Sequence, residues 1–292
     1  GLWEYLRGGE HILFFVRRSA APDGAAGTFV NRDHFANYLV LFFPVLLSWA
    51  ILGFTKPGAI KKPHQPSSGQ GVLLSILLTG LVVAAAASHS RMAIASGILS
   101  ALIMGACSVS LKFPKKMLLF LPILFVLAAA FVYFLDPGFS SFQTRLTSLL
   151  SAKDTKRFRV WRDSFAIVRD FPWFGTGLET FQLIFEKYSS VPITKRFTHA
   201  HSDWMELLVE TGVIGFLLVA AAAVWFFLYY TSRLRKLEPP MQMLSVGILV
   251  SLIAFTVHSL AEFNFHIPAN ACSFTILAGM GIRVLKLKGR EN

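Results

Sequence analysis

The stretch THAHSDWMELLVETGVIG, residues 198–215, sets His199, His201, Asp203 and Glu206 directly ahead of a run that becomes wholly apolar. Ser202 or Asp203 can cap a helix starting there, and Glu206 stands three residues after Asp203, as in a capping box. The positive end of a helix dipole disfavours imidazolium. His201, just before that start, is therefore suited to the neutral form that a general base requires. A histidine bound to lipid headgroups satisfies the same pattern, and His199 has a similar claim by position. Glu210 lies one to two turns into the apolar run, where an acid is expensive and marks either a function or a pairing.

A second constellation lies upstream in TKRFRVWRDSFAIVRDFPWFGTG, residues 155–177. At helical spacing Phe158, Trp161, Phe165 and Val168 form one apolar stripe. Asp154 or Thr155 can cap the start, and Phe171-Pro172 ends the helix. Arg159 points most clearly away from the stripe. Arg157 falls on the apolar side, one turn before Trp161, and a buried guanidinium needs an anionic partner. A carboxylate of the chain or a phosphate gripped bidentately both answer that need. Gly175 and Gly177 make a turn able to present backbone N–H groups to an oxyanion. Arg91, in SHSRMA (88–93), is a third candidate cation, although snorkelling to headgroups explains it equally well. Asp33, His34, His258, Glu262 and His266 are weaker candidates at the same membrane level.

These residues must be positioned by membrane helices. Of 292 residues, 54% are hydrophobic and only 15% charged, with mean hydropathy +0.57, whereas soluble domains carry about 25% charged residues. The spacing of apolar runs predicts seven spans, at about 35–54, 72–88, 92–111, 117–135, 207–230, 241–261 and 267–282. The stretch HILFFV (11–16) is too short to cross and is expected at the interface. Cys107 and Cys272 read as small buried hydrophobes, and no Cys/His spacing suggests a metal site. The chain opens on Gly without a signal-peptide pattern, and reads as part of a longer one.

Charge sets the orientation. The linkers at 55–71, 112–116 and 231–240 and the tail hold 13 Lys/Arg, and their only acids are Glu238 and Glu291. Seven spans place all four segments on one side, which the positive-inside rule makes cytoplasmic. The long segment 136–206 then faces outward; through residue 205 it holds ten Lys/Arg against seven acids. A solvated face or an anionic ligand outside the membrane both fit that excess. No ATP or nucleotide sugar is available there. A cationic site with a neutral base therefore suits a donor already activated on a lipid, such as a polyprenyl pyrophosphate saccharide. Without Asp-x-Asp or paired outward carboxylates at ligand spacing, arginines are the better candidates for holding a departing pyrophosphate.

The segments GTFVNRDHFANYL, SHSR, RFRVWRDSFAIVRDFPWFGTGLETF and HAHSDWMELLVETGVIG resemble the O-antigen ligase and polymerase superfamily of bacterial inner-membrane glycosyltransferases. The ligase pattern, His then Asn/Ser/Gln and later Gly-x-x-Gly/Thr/Tyr, is met by His201, Ser202, Gly212 and Gly215, which ranks His201 over His199. The Arg-x-x-x-Trp pattern ahead of Pro-x-x-Gly-x-Gly falls on Arg157, Trp161, Pro172, Gly175 and Gly177, and the membrane arginine of that family is most similar to Arg91. The resemblance implies His201, Arg157 and Arg91 as catalytic, with Trp161, Gly175 and Gly177 beside the substrate; His199, Arg159 and Glu210, singled out by position and charge, are also expected to bind substrate. It also implies metal-independent, inverting transfer without a cofactor. The donor would be an undecaprenyl-pyrophosphate-linked glycan and the acceptor lipid A core, another glycan or a protein; membrane lipids are partners and nucleic acid is not.

The expected fold is an all-α polytopic membrane protein, about seven transmembrane helices with a large helical periplasmic loop. Residues 1–34 form a periplasmic or interfacial segment, 35–135 four transmembrane helices and 136–206 the loop with its amphipathic helices. Residues 207–282 form three more transmembrane helices and 283–292 a basic cytoplasmic tail. The alternatives are a repeat-unit polysaccharide polymerase of the same superfamily and, from another class, a transporter or flippase of lipid-linked glycan. A transporter carries ionisable residues near the bilayer midplane. The charges here gather at one face, in the bacterial inner membrane facing the periplasm, which favours an enzyme.

Overall fold

The computed structural model describes residues 11–12, 15–16, 24–54, 67–111, 156–190 and 197–286. Among these are eight helices and one two-stranded ribbon, in which β1 (His11–Ile12) pairs antiparallel with β2 (Phe15–Val16). Both strands fall in the stretch expected at the interface. The expected span at 117–135, the caps Asp154 and Thr155, and most of the basic linkers lie outside the described residues.

Among the described residues, five helices are long and apolar enough to cross a membrane. These are α1 (Arg32–Gly53), α2 (Ser68–Ala87), α3 (Arg91–Ser110), α6 (Asp203–Leu234) and α7 (Pro239–His258). The shorter helices α4 (Lys156–Asp170) and α5 (Phe181–Tyr188) lie between α3 and α6, and α8 (Pro268–Lys286) ends the described chain. The expected seventh span is therefore a helix, but one interrupted by Asn270, Ser273, Thr275 and Arg283, and it is not among the five.

The chain divides into two compact units. The first comprises Gly1–Pro137, Tyr230–His258 and Pro268–Asn292. Its core is apolar, with Phe43, Leu47 and Ile51 of α1 against Leu78 and Val82 of α2, Met104 of α3 and Met243, Val246 and Val250 of α7. Small residues let the helices approach: a Cβ on Gly247 would stand 2.5 Å from the Ser48 hydroxyl and 2.7 Å from the Pro44 carbonyl. The buried hydroxyls of Ser96, Ser100 and Ser108 donate to carbonyls one turn back in their own helix, so they need no long-range partner. Cys107 is half-buried, but Cys272 is exposed rather than buried, because it lies on an outer face of α8.

The second unit comprises Gly138–Tyr229 and Ser259–Ile267. Val160 and Ile167 of α4, Phe181 and Phe185 of α5, Ala200 and Val209 form its core. The buried face of α4 is therefore Val160–Asp163–Ser164–Ile167, while Phe158 and Phe165 are exposed. This corrects the expected stripe. The helical wheel places apolar residues on both flanks, and the stacked Phe181–Phe185 pair, 5.1 Å between centroids, packs on only one of them. Asp163 can enter that face because Ser190 donates to it through both N–H and hydroxyl, each at 2.7 Å. Burial opposes its charge, but those bonds and Arg162 outweigh burial and hold the carboxyl below its usual range.

Candidate functional site

The turn between α7 and α8, residues 259–267, carries Glu262 with only 1% of its surface exposed. An acid so buried must be paired. Arg157 of α4 supplies the pairing: Nη2 donates to Glu262 Oε1 in a short ion pair, and Nη1 donates to the Ala261 carbonyl at 3.1 Å. The anion that Arg157 required is thus, in the first place, a carboxylate of the chain. The other carboxylate oxygen, Oε2, lies 3.7 Å from Nδ1 of His201. Neither of those two atoms has a hydrogen-bond partner among the described residues. His201 packs edge-on against Phe263, and His199 stacks on the same ring at 4.2 Å. Arg157 and His201, 44 residues apart in sequence, therefore meet at one carboxylate.

The backbone between the two histidines is clamped from both directions. The Ala200 N–H donates to Glu206 Oε2 at 2.9 Å, and its carbonyl accepts from the Trp161 indole at 3.0 Å. His201 itself has φ 51°, a left-handed conformation that histidine adopts more readily than most residues. Ser202 then caps α6, its hydroxyl accepting from the Met205 N–H at 3.2 Å. The expected capping box is corrected here, because its two acids serve longer-range partners. Asp203 accepts from the Phe265 N–H at 3.1 Å and pairs with His266 Nδ1 at 3.0 Å. Glu206 pairs with His199 Nδ1 at 2.8 Å as well as holding Ala200.

His199, Glu206 and His266 bring three potential metal-ligand atoms within 4.8 Å of one another, a grouping that no local spacing in the sequence reveals. As assembled, the group holds a proton. The hydrogen bond to Asp203 raises the His266 pKa to about 9, against the opposing effect of burial, with Glu206 and Glu179 adding to the rise. An ion at His266 would have to displace that proton.

A second arrangement joins the 172–177 turn to α6. Gly212, with φ 64° and ψ −172°, interrupts that helix, so carbonyls before the break and N–H groups after it lose their intrahelical partners. The turn replaces both sets. Thr176 and Gly177 donate to the carbonyls of Val209 and Glu210 at 3.0 and 2.9 Å. Val213 and Ile214 in turn donate to the carbonyls of Pro172 and Trp173 at 2.8 and 3.3 Å. Only glycine permits this contact: a Cβ on Gly175 would stand 2.4 Å from the Glu210 carbonyl, and one on Gly212 2.5 Å from that of Trp173. The Gly177 N–H, expected to face an oxyanion, is therefore engaged within the chain. The Glu210 carboxylate accepts from the Phe181 N–H at 3.1 Å and so caps α5, whose preceding Thr180 makes no side-chain cap.

Arg159 is half-buried on α4 and engaged with neighbouring groups. Arg91 belongs to the first unit, where it is the exposed first residue of α3 behind the cap Ser90. Glu262 is only a weaker candidate by sequence, and Phe263 carries no signal of its own; the signal for Glu262 is an acid in a short turn between two apolar runs.

Helices long and apolar enough to cross a membrane and an Arg–His pair meeting on a buried carboxylate at a helix start define a multi-pass membrane protein with a built polar site. The O-antigen ligase family model matches residues 73–220, just over half of the chain, and the chain belongs to that family. Membership implies a membrane glycosyltransferase of ligase or polymerase type, with lipid-linked glycan and acceptor as substrates. No curated protein matches the chain.

Proposed function

We propose that the protein transfers a glycan from undecaprenyl pyrophosphate to an acceptor hydroxyl at the periplasmic face of a bacterial inner membrane, as an O-antigen ligase. The observation that carries this reading is the meeting of Arg157 and His201 on the buried Glu262. A carboxylate at Nδ1 favours the tautomer with its proton on that nitrogen, which leaves Nε2 to accept the acceptor's proton. The acceptor oxygen then attacks the anomeric carbon from the face opposite the pyrophosphate. The carbon–oxygen bond to pyrophosphate breaks, and the configuration inverts. Arg157, oriented by Glu262 and the Ala261 carbonyl and still 32% exposed, stabilises the departing charge. Arg91 opens α3, where the helix dipole disfavours a cation unless an anion is near. In this reading no metal takes part, and His199, Trp161, Arg159, Glu210 and the Gly175–Gly177 turn shape the surroundings of the substrate.

The test is transfer by the full chain in nanodiscs, supplied with a polyprenyl-pyrophosphate oligosaccharide and, separately, lipid A core or a second donor molecule. Activity that survives EDTA but collapses in His201→Ala and Arg157→Ala is the expected result. Loss of wild-type activity in EDTA overturns the metal-free mechanism and directs attention to His199, Glu206 and His266. Consumption of the second donor in place of lipid A core identifies a repeat-unit polymerase.

A further inference from the structure

We propose that residues 171–178 form a wedge inserted into the phospholipid bilayer, seating the adjoining end of α4 in the headgroup layer. The segment, FPWFGTGL, contains no charged residue. Four of its side chains are large, apolar and exposed: Phe171, Trp173 (64%), Phe174 (78%) and Leu178 (72%). A short uncharged run presenting that much apolar surface is unusual where only water covers it.

The bilayer is the occupant because this segment is spliced into a membrane helix. Its backbone carries the hydrogen bonds across the break at Gly212, so it cannot lie far from that residue. From 213 to 234, α6 runs 22 residues, about 33 Å at 1.5 Å per residue, against a hydrocarbon core of about 30 Å. That stretch exposes Leu217, Leu218, Val224, Trp225 and Leu228, as a lipid-facing surface does. The span is thus used up by the residues after the break, and Gly212 falls at its boundary. Trp173 and Phe174, bonded through neighbouring carbonyls to the first turn of that span, share its level, where aromatic rings are favoured.

Part of the segment's backbone is also satisfied within the protein, which lowers the cost of entering lipid. Phe171 donates to Ile167, Pro172 has no N–H, and the Pro172 and Trp173 carbonyls accept from α6. Thr176 and Gly177 donate to α6, and the Gly177 carbonyl accepts from the Thr180 hydroxyl at 2.6 Å. This inference rests on the span and the splice alone and does not depend on the catalytic roles proposed above.

A nitroxide at Phe174→Cys, in the full chain carrying Cys107→Ser and Cys272→Ser, tests it in phosphatidylethanolamine/phosphatidylglycerol nanodiscs. The expected result is collision with oxygen exceeding that with a water-soluble nickel chelate, as for a label at Leu218→Cys and opposite to one at Lys187→Cys. A label at 174 as accessible to the chelate as one at 187 overturns the proposal. So does shielding from both reagents, which would mean that protein covers the segment. In unlabelled protein, lipids brominated near the headgroup should quench more fluorescence in wild type than in Trp173→Phe, and equal quenching overturns the proposal.

Discussion

The chain builds the same local device twice. In the first unit His89 has φ 55°, Ser90 caps α3 by accepting from the Ala93 N–H at 3.4 Å, and Arg91 opens the helix. In the second unit His201 has φ 51°, Ser202 caps α6 at 3.2 Å, and Asp203 opens the helix. A left-handed histidine followed by a serine cap is therefore a way of turning the chain into a helix and is not in itself a catalytic feature. The difference lies in what each histidine meets. His89 is buried at 8% exposure, whereas His201 keeps 31% of its side chain open and faces the Glu262 carboxylate and the Phe263 ring. The carboxylate and the ring come to the second copy from a segment about sixty residues further along the chain.

Substitutions can break that comparison, and the largest effect is expected at the base. His201→Ala should lower glycan transfer by about 10²–10⁴-fold, the usual contribution of a positioned acid or base. His89→Asn, which keeps a side chain tolerant of positive φ, should leave transfer near the wild-type rate. Initial rates in nanodiscs check both, and equal losses would show that the device and not its surroundings matters. Next, Glu262→Gln should lower the rate by about tenfold or more, because the amide neither fixes the imidazole tautomer nor balances Arg157. Glu262→Asp should recover part of that loss, whereas a role in packing alone would leave transfer by the folded Gln variant unchanged.

Two smaller effects sharpen the comparison. The His266 pKa is raised from 6.5 to about 9 by the hydrogen bond to Asp203, against burial, with Glu206 and Glu179 adding to the rise. Its contribution to stability is then fully present below pH 6.5 and is lost as pH rises through about 9. Thermal unfolding followed across pH 6–10 should show this decline in wild type and a flatter profile in Asp203→Asn. Finally, Ser202→Ala and Ser90→Ala should each cost about 1 kcal/mol, as lost N-caps do. Near-equal drops in Tm would establish that the two caps are the same local element, differing only in what surrounds them.

Much of this was legible before any coordinates. The helix over 156–170, its end at Phe171-Pro172, and the starts of α1, α3 and α6 follow from caps, breakers and apolar runs. The histidine at a helix start and the arginine in need of an anion were both readable from position. Other features were not. A helical wheel does not reveal which flank a partner covers, so the expected stripe included Phe158 and Phe165, while Val160 and Ile167 carry the packing. Gly212 is picked out by the pattern it shares with Gly215, but nothing local in the sequence shows a break there, and the break becomes intelligible only once the 172–177 turn is seen to complete the missing hydrogen bonds. Glu210, costly inside a bilayer in isolation, is accounted for by a bare helix start at Phe181.

The division has a physical cause. Where helices begin, end and cross depends on interactions within a few residues, namely hydroxyl caps, fixed proline φ and apolar runs long enough for a hydrocarbon core, and all of these are written in local order. Which carboxylate answers which cation depends on contacts between residues separated by 105 positions for Arg157 and Glu262 and by 63 for Asp203 and His266. Burial makes such contacts obligatory, since a charge withdrawn from water must find a partner. The need for a partner could be read from the type and position of Arg157; that the partner is Glu262, and that His201 shares it, was decided by how the chain packs.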